Sequence, residues 1–352
     1  MTSAPFGING RPIGPGHPPY VIAELSANHH HKFDHALALV RAAKDVGADA
    51  VKLQTYTPDT MTLDADTEYF RLPAENTWGG RQLYDLYREA HTPWEWHGDL
   101  KHAANELGLD LFSSPFDPSA VDFLETLDVP AYKVASFEVV DIPLLQRIAR
   151  TGKPVIMSTG MATLAEIDEA VRALQDAGAA QIALLKCTSA YPAPPDEMNL
   201  VTIPHLAAAF GLPVGLSDHT LGNAVAVAAV ALGACLVEKH FTLSRGDGGP
   251  DSAFSLEPAE FAEMVAAIRV VARAVGEVRY AVTAHEAANA PLRRSLFVVA
   301  DVKAGDVFTE RNVRSIRPGH GLPPKFLSAV LGRAAARDIR RGTPLGWDLV
   351  AG

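Results

Sequence analysis

Cysteine is nearly absent from this chain of 352 residues, with Cys187 and Cys235 the only two. A disulfide framework needs more, and so few thiols suit a reducing compartment. Both fall inside apolar runs, where a small buried residue is the expected role, and no Cys–His nucleophile pattern stands out. No apolar stretch approaches the roughly 20 residues of a membrane helix. The N-terminal MTSAPFGINGRPIG lacks the basic-then-apolar order of a signal peptide. A cytoplasmic protein with no membrane partner is therefore expected. Basic residues are outnumbered, 31 against 41 acidic ones for a net charge of −10, which argues against a general nucleic-acid binder. There is no GxxxxGK[ST] and no GxGxxG after a strand, so no nucleotide cradle is expected. Nor is there a repeat of solenoid period. What is present is apolar material, 48% of the chain, enough for a large core.

Charge is unevenly divided. Residues 291–352 carry 11 Lys and Arg against 5 Asp and Glu, a net of +6, and the remainder carries −16. The asymmetry points to two units, the smaller able to face an acidic surface or an anionic ligand, or simply well solvated.

From about residue 19 to 275, short apolar runs alternate with amphipathic stretches. The runs are YVIAEL (20–25), AVKLQT (50–55), LDLFSS (109–114), AYKVAS (131–136), PVIMST (154–159), QIALLKCTS (181–189), PVGLSD (213–218) and CLVEKHF (235–241). In TLAEIDEAVRALQDAG, Leu164, Ile167, Ala170, Val171 and Leu174 fall at helical spacing, with Gly178 as a stop. Eight strands joined by helices imply parallel neighbours and predict an α/β fold, a (β/α)8 TIM barrel, with an open doubly wound sheet as the alternative. Residues 5–18 read as a hairpin closing the barrel's bottom, and 57–93 as a functional insertion. The expected division is a barrel at 1–280, a linker at 281–290 and a small β-rich domain at 291–352.

In such a barrel the C-terminal strand ends converge on one pocket. The runs turn polar there: Glu24, then Ser26, Asn28 and His29; Lys52 and Gln54; Ser113 and Ser114; Lys133, Ser136 and Glu138; Ser158; Lys186 and Ser189; Ser217, Asp218 and His219; Glu238, Lys239 and His240. Each charge inside a buried strand is costly unless paired, so any one could be a structural ion pair, but all share a register. Lys52 and Lys133 with Ser114, Ser136, Ser158, Ser189 and Ser217 compose a cationic, hydroxyl-rich pocket suited to phosphate and carboxylate. His219 and His240, at neighbouring strand ends, can hold a divalent metal with open positions, or be hydrogen-bonded rim histidines. The run His29-His30-His31 is expected to be solvated loop histidines. Glu24 and Glu138 are carboxyls free for acid/base work, or either could instead pair with a neighbouring lysine, and Asp251 sits in a turn beyond the last strand.

The motifs IAELSANHH, VKLQT, FSSPFD, YKVASFE, STGMA, LKCTSAYPAP, GLSDHT, VEKHFT and GGPDSAFS, in this order, resemble the sialic acid synthase family. Those enzymes condense phosphoenolpyruvate with an N-acylated amino-sugar aldehyde. The tail, with RPGHGLPP and LGRAAARDIRRGTPL, is similar to that family's antifreeze-like (SAF) domain. ELSANH and the insertion WGGRQLYDLYREAHTPWEWH resemble the pseudaminic acid synthase branch, with N-acetylneuraminate or legionaminic acid synthesis as alternatives. A non-catalytic carbohydrate-binding protein is the alternative of another class. The resemblance implies that Lys52, Gln54, Ser114, Lys133, Ser136, Ser158, Ser189 and Ser217 bind substrate, chiefly phosphoenolpyruvate, although Ser189 stands where sialic acid synthases often have Asn. It implies that His219 and His240 hold Mn2+ or Mg2+, that Glu24 and Glu138 act at the water and sugar, and that Tyr191 and Asp251 line the sugar site. It also implies that Arg317 reaches the sugar from the partner subunit's tail in a domain-swapped homodimer.

Overall fold

The computed structural model describes residues 6–74 and 77–352. Pro5, at the start of the expected hairpin, and Glu75 and Asn76, within the expected insertion, lie outside the described residues. The chain forms two compact units, Met1–Gly276 and Glu277–Gly352.

In the first unit, β1 (Phe6–Ile8) and β2 (Arg11–Ile13) form an antiparallel hairpin. Eight strands then follow: β3 (Tyr20–Glu24), β4 (Ala50–Thr55), β5 (Asp110–Pro115), β6 (Tyr132–Val134), β7 (Val155–Ser158), β8 (Ile182–Cys187), β9 (Val214–Asp218) and β10 (Leu236–His240). All neighbours are parallel, and β10 pairs with both β9 and β3, so the sheet is a closed barrel rather than an open one. The strands are buried on both faces, which is why they read as continuous apolar runs. Each fully buried Val, Leu or Ile contributes about 1.5–3 kcal/mol.

The helix Leu164–Asp176 shows how the outer ring is specified. Thr163 and Glu166 form a reciprocal capping box, and Ile167, Ala170, Val171 and Leu174 face the sheet. Leu164 departs from the expected stripe: as the first helical residue it is half exposed. The hairpin closes the barrel's N-terminal end, where the Gly7 N–H donates to Gln181 and Arg11 pairs with Asp49. Phe6 and Ile8 are buried. In the 57–93 stretch the described residues form short helices at Pro58–Met61 and Leu83–Ala90.

The second unit has β11 (Ser295–Val298) paired antiparallel with β12 (Val313–Ile316), plus isolated bridges such as Val302–Ile339 and Ala335–Val350. Its own core includes Leu296, Val298, Phe308, Val313 and Leu345. Residues 277–294 are exposed, with one helical turn at Ala284–Ala287. Arg317 follows β12 and is exposed.

Candidate active site

Register decides which strand-end side chains meet. Successive residues of a strand point to opposite sides, so Glu238 and His240 share a side and Lys239 takes the other. Lys239 pairs with Asp218 at 2.7 Å, both side chains fully buried. Asp218 also accepts from the Thr220 N–H and hydroxyl. This ion pair is structural.

The other charges form one network. Glu24 lies beside Lys52 across β3–β4 and beside His240 across β10–β3. Lys52 Nζ is 2.6 Å from Glu24 Oε2, 3.2 Å from Ser114 Oγ and 3.6 Å from Glu238 Oε1. Lys133 Nζ is also 3.6 Å from Glu238 Oε1. Ser217 Oγ donates to that oxygen at 3.3 Å. Gln54 donates to Glu24 Oε1 and to Ser26 Oγ at 3.0 and 3.1 Å. Ser26 in turn donates to Asp251, which places Gln54, Ser26 and Asp251 in one chain of contacts.

Burial sets the protonation of these groups. It pushes Glu24 up to about 7, aided by Glu238 and opposed by Lys52. It pushes Glu138 up to about 7, with Lys133 and Lys52 opposing. Burial raises Glu238 too, but Lys133, Lys52 and His219 outweigh it and hold that carboxyl below its ordinary value. Burial lowers Lys133, whereas at Lys52 the nearby carboxylates outweigh burial and raise it. Burial raises Asp251 against the pull of its bond from Ser26.

A hydroxyl cradle lies beside the charges. The Gly160 N–H donates to Ser136 Oγ at 3.1 Å. A Cβ on Gly160 would stand 2.7 Å from that oxygen and closer still to Ser189 Oγ, so only glycine lets the chain pass between the two serines. Ser158, buried at the end of β7, has no hydrogen-bond partner for its hydroxyl among the described residues. The same holds for one oxygen each of Glu138 and Glu238 and for His240 Nδ1. Orphaned buried polar atoms are rare, and this group is concentrated at the strand ends.

The imidazoles of His219 and His240 are 5.4 Å apart, centre to centre. His219 Nδ1 lies 3.0 Å from the Thr188 carbonyl, to which its N–H donates, an arrangement that leaves the lone pair of the neutral ring on Nε2. Burial, then the charge of His219 and nearby lysines, holds His240 well below its ordinary value and so neutral. Burial pulls His219 down too, but contacts led by the Cys187 thiol outweigh it and hold that ring above its ordinary value. A neutral imidazole with an unpartnered buried nitrogen, as at His240, is what a divalent cation needs, and the pair fits a metal with open positions once His219 gives up its proton. Tyr191 packs 4.3 Å from His219, and Phe254 lies 4.9 Å from His240 and 5.3 Å from Tyr191. Trp78 joins this wall, 5.5 Å from Tyr191.

Thus Glu24, Lys52, Gln54, Ser114, Lys133 and Ser217 share one network, which includes Glu238. Ser136 and Ser189 flank Gly160. Tyr191, His219 and His240 share the aromatic wall, and Asp251 reaches the network through Ser26. Arg317 belongs to the second unit.

Several expectations change. His29 is buried rather than solvated, because its ring is held by Thr92 and by the His31 N–H. Cys187 is not simply an apolar filler: its Sγ lies 3.9 Å from His219 Nδ1. Burial pushes that thiol up, but His219, Ser136 and Lys133 bring it down to about 7. The register Cys187–Ser217 would have signalled this proximity, since His219 is two residues beyond Ser217. Trp78 and Phe254 lie within the motifs WGGRQLYDLYREAHTPWEWH and GGPDSAFS, which do not single them out as site residues, and Glu238 gave no hint that it would bridge two lysines.

Fold and site together define a (β/α)8-barrel enzyme whose mouth concentrates cationic, hydroxylic and imidazole groups for a small anionic substrate. The chain belongs to the NeuB family, whose model matches residues 39–280, and a SAF domain matches residues 293–351. It is 42% identical to the pseudaminic acid synthase of Helicobacter pylori, over 94% of this chain and 97% of that one. It is 44% identical to the pseudaminic acid synthase of Campylobacter jejuni subsp. jejuni, over 93% and 95%. Among solved structures, the spore coat polysaccharide biosynthesis protein SpsE of Bacillus subtilis covers 99% of both chains at 35% identity, with a TM-score of 0.68.

Proposed function

We propose that this chain is a pseudaminic acid synthase, condensing phosphoenolpyruvate with 2,4-diacetamido-2,4,6-trideoxy-altrose to give pseudaminic acid and phosphate. The observation that carries the reading is the buried Lys52–Glu24–Glu238–Lys133 network beside the paired imidazoles of His219 and His240. Near-full-length identity of 42–44% to two pseudaminic acid synthases, against 35% to SpsE, supports the choice of sugar.

Lys52 and Lys133, with Ser114, Ser136, Ser158, Ser189 and Ser217, hold the phosphate and carboxylate of phosphoenolpyruvate by charge-assisted hydrogen bonds. His219 and His240 would hold manganese or magnesium, which when bound supplies Lewis-acid polarisation of the sugar aldehyde. The methylene carbon of phosphoenolpyruvate attacks the aldehyde carbon, forming the new C–C bond and leaving positive charge at its own C2. Water adds there, its proton passing to a carboxylate, and the tetrahedral hemiketal phosphate breaks its C–O bond to release phosphate. Glu24 and Glu138, both held near neutrality, are poised to take and give that proton. Tyr191 and Asp251 line the sugar side.

The division into a barrel at 1–280, a linker at 281–290 and a SAF domain at 291–352 belongs to the same reading. So does a domain-swapped homodimer in which Arg317 of the partner subunit reaches the sugar. No helix among the described residues is long and apolar enough to cross a membrane, in keeping with cytoplasmic synthesis.

The test is phosphate release from phosphoenolpyruvate with each candidate hexose. Preference for the altrose derivative supports the assignment, and equal or better turnover of N-acetylmannosamine sinks it. Activity unchanged on dilution to monomer would remove the swapped tail.

A further inference from the structure

We propose that His30, His35 and Asp247 form a second divalent-cation site, separate from His219 and His240, that clips the loop after β3 to the loop after β10. The site itself stands apart from the condensation reaction, and only its effect on the pocket rests on the proposed function. His30 lies in the loop between β3 and the helix Phe33–Asp45, and His35 in that helix's first turn. Asp247 ends the single turn Arg245–Asp247 that follows β10. One ligand atom from each of the three lies within 4.8 Å of the other two. The two imidazoles meet edge to face, with centres 5.0 Å apart.

An independent observation points into this cluster. Nε2 of His30 and Nε2 of His35 are both buried, and neither has a hydrogen-bond partner among the described residues. Two orphaned ring nitrogens on imidazoles that meet edge to face are each left with an unmet bonding capacity, which a cation held by both rings would satisfy. Gly249 preserves the arrangement. Its φ is +102°, and a Cβ there would stand 2.9 Å from His30 Cε1 and 3.2 Å from His30 Nδ1, so any other residue would push the ring away.

The donor set names the class of ion. Two imidazole nitrogens and one carboxylate oxygen, with a position left for water, suit zinc, cobalt(II) or nickel, whereas magnesium and calcium prefer an all-oxygen shell. Drawing three ligands to bonds of about 2.0–2.2 Å asks for a contraction that short loop side chains can make. The ion has a way in, because His35 lines an open groove with Lys32, Phe33, Asp34 and Ala38.

The clip has a defined consequence. Ser26 precedes His30 by four residues and Asp251 follows Asp247 by four, and Ser26 donates to Asp251. An ion at the new site therefore fixes the two loops that carry this hydrogen bond, which extends to Gln54. Occupancy should tighten the sugar side of the pocket and leave the phosphoenolpyruvate side unchanged.

Cobalt(II) alone is the probe, read by equilibrium dialysis and by its visible absorption. The full-length protein should bind two ions per chain, His35→Gln one, and the double variant His219→Ala/His240→Ala one. The ion retained by the double variant should then be lost when His35→Gln is added. The loss of affinity at this site should be at least the roughly 10–100-fold that removal of an outer-shell partner costs. Asp247→Asn, which keeps shape and lies at the surface, should weaken the same ion and guard against a folding artefact. Two ions in His35→Gln bound as in the unaltered protein, or none in the His219→Ala/His240→Ala protein, would overturn the site.

Discussion

Lys52 and Glu24 form a buried ion pair, Nζ to Oε2 2.6 Å, on adjacent barrel strands with almost no solvent contact for either side chain. Pairing is what makes each charge tolerable, because an ion stripped of water without a partner is strongly disfavoured. Lys52→Met should therefore abolish turnover and also destabilise the fold by about 3–5 kcal/mol at pH 8, where Glu24, pushed further up once the lysine is gone, must either keep an uncompensated charge or take up a proton that is scarce at that pH. The loss should shrink at pH 5.5, where Glu24 takes a proton. Urea unfolding at the two pH values measures this, and an equal loss at both would show that the pair is not the cause.

Glu138 sets a second pH dependence. Its carboxyl titrates at about 7 in the fold, against an ordinary 4.5, because it is buried. The folded chain thus holds a proton that the unfolded chain gives up between those values. The stability linked to it is fully present below about 4.5 and is lost as pH rises to about 7. Glu138→Gln should flatten the fall in stability over that window, leaving the fall due to Glu24, which is also pushed up to about 7. An unchanged slope in denaturation midpoint against pH would contradict the assignment.

Gly160 sits where a side chain would strike Ser136 and Ser189. Gly160→Ala should raise KM for phosphoenolpyruvate about tenfold or more, the scale of a displaced charge-assisted hydrogen bond of 1.5–3 kcal/mol. KM for the sugar should change little. Steady-state kinetics with each substrate varied in turn distinguishes the two.

His240→Ala should remove turnover while leaving the circular dichroism spectrum and unfolding cooperativity intact, since the ring has one nitrogen unpartnered and carries no structural hydrogen bond there. Full activity in His240→Ala at trace metal would refute a cation held by this residue.

Much of this site was legible from the strand pattern, because a parallel barrel obliges each apolar run to present its C-terminal polar residues at one mouth. All eight strands fall within or beside the expected runs, and Lys52, Gln54, Ser114 and Glu24 meet as that register requires. Where periodicity is two, the sequence also holds the distinction between Glu238 and Lys239, one joining the pocket network and the other pairing with Asp218. The aromatic wall was not legible. Trp78 and Phe254 lie in segments without regular spacing, and their approach to Tyr191 depends on how two long loops fold back. The burial of His29 follows likewise from Thr92, 63 residues away, which no local pattern announces.

The most direct measurement follows the bridging oxygen of phosphoenolpyruvate labelled with oxygen-18, in the presence of the altrose derivative and manganese. The account predicts that phosphate release requires the sugar, that the label leaves with the phosphate rather than being lost to or retained by other oxygens, and that Lys52→Met and His240→Ala abolish it. Phosphate released without sugar would contradict the condensation at this barrel mouth, and phosphate released unlabelled would contradict the C–O cleavage by which the account completes it.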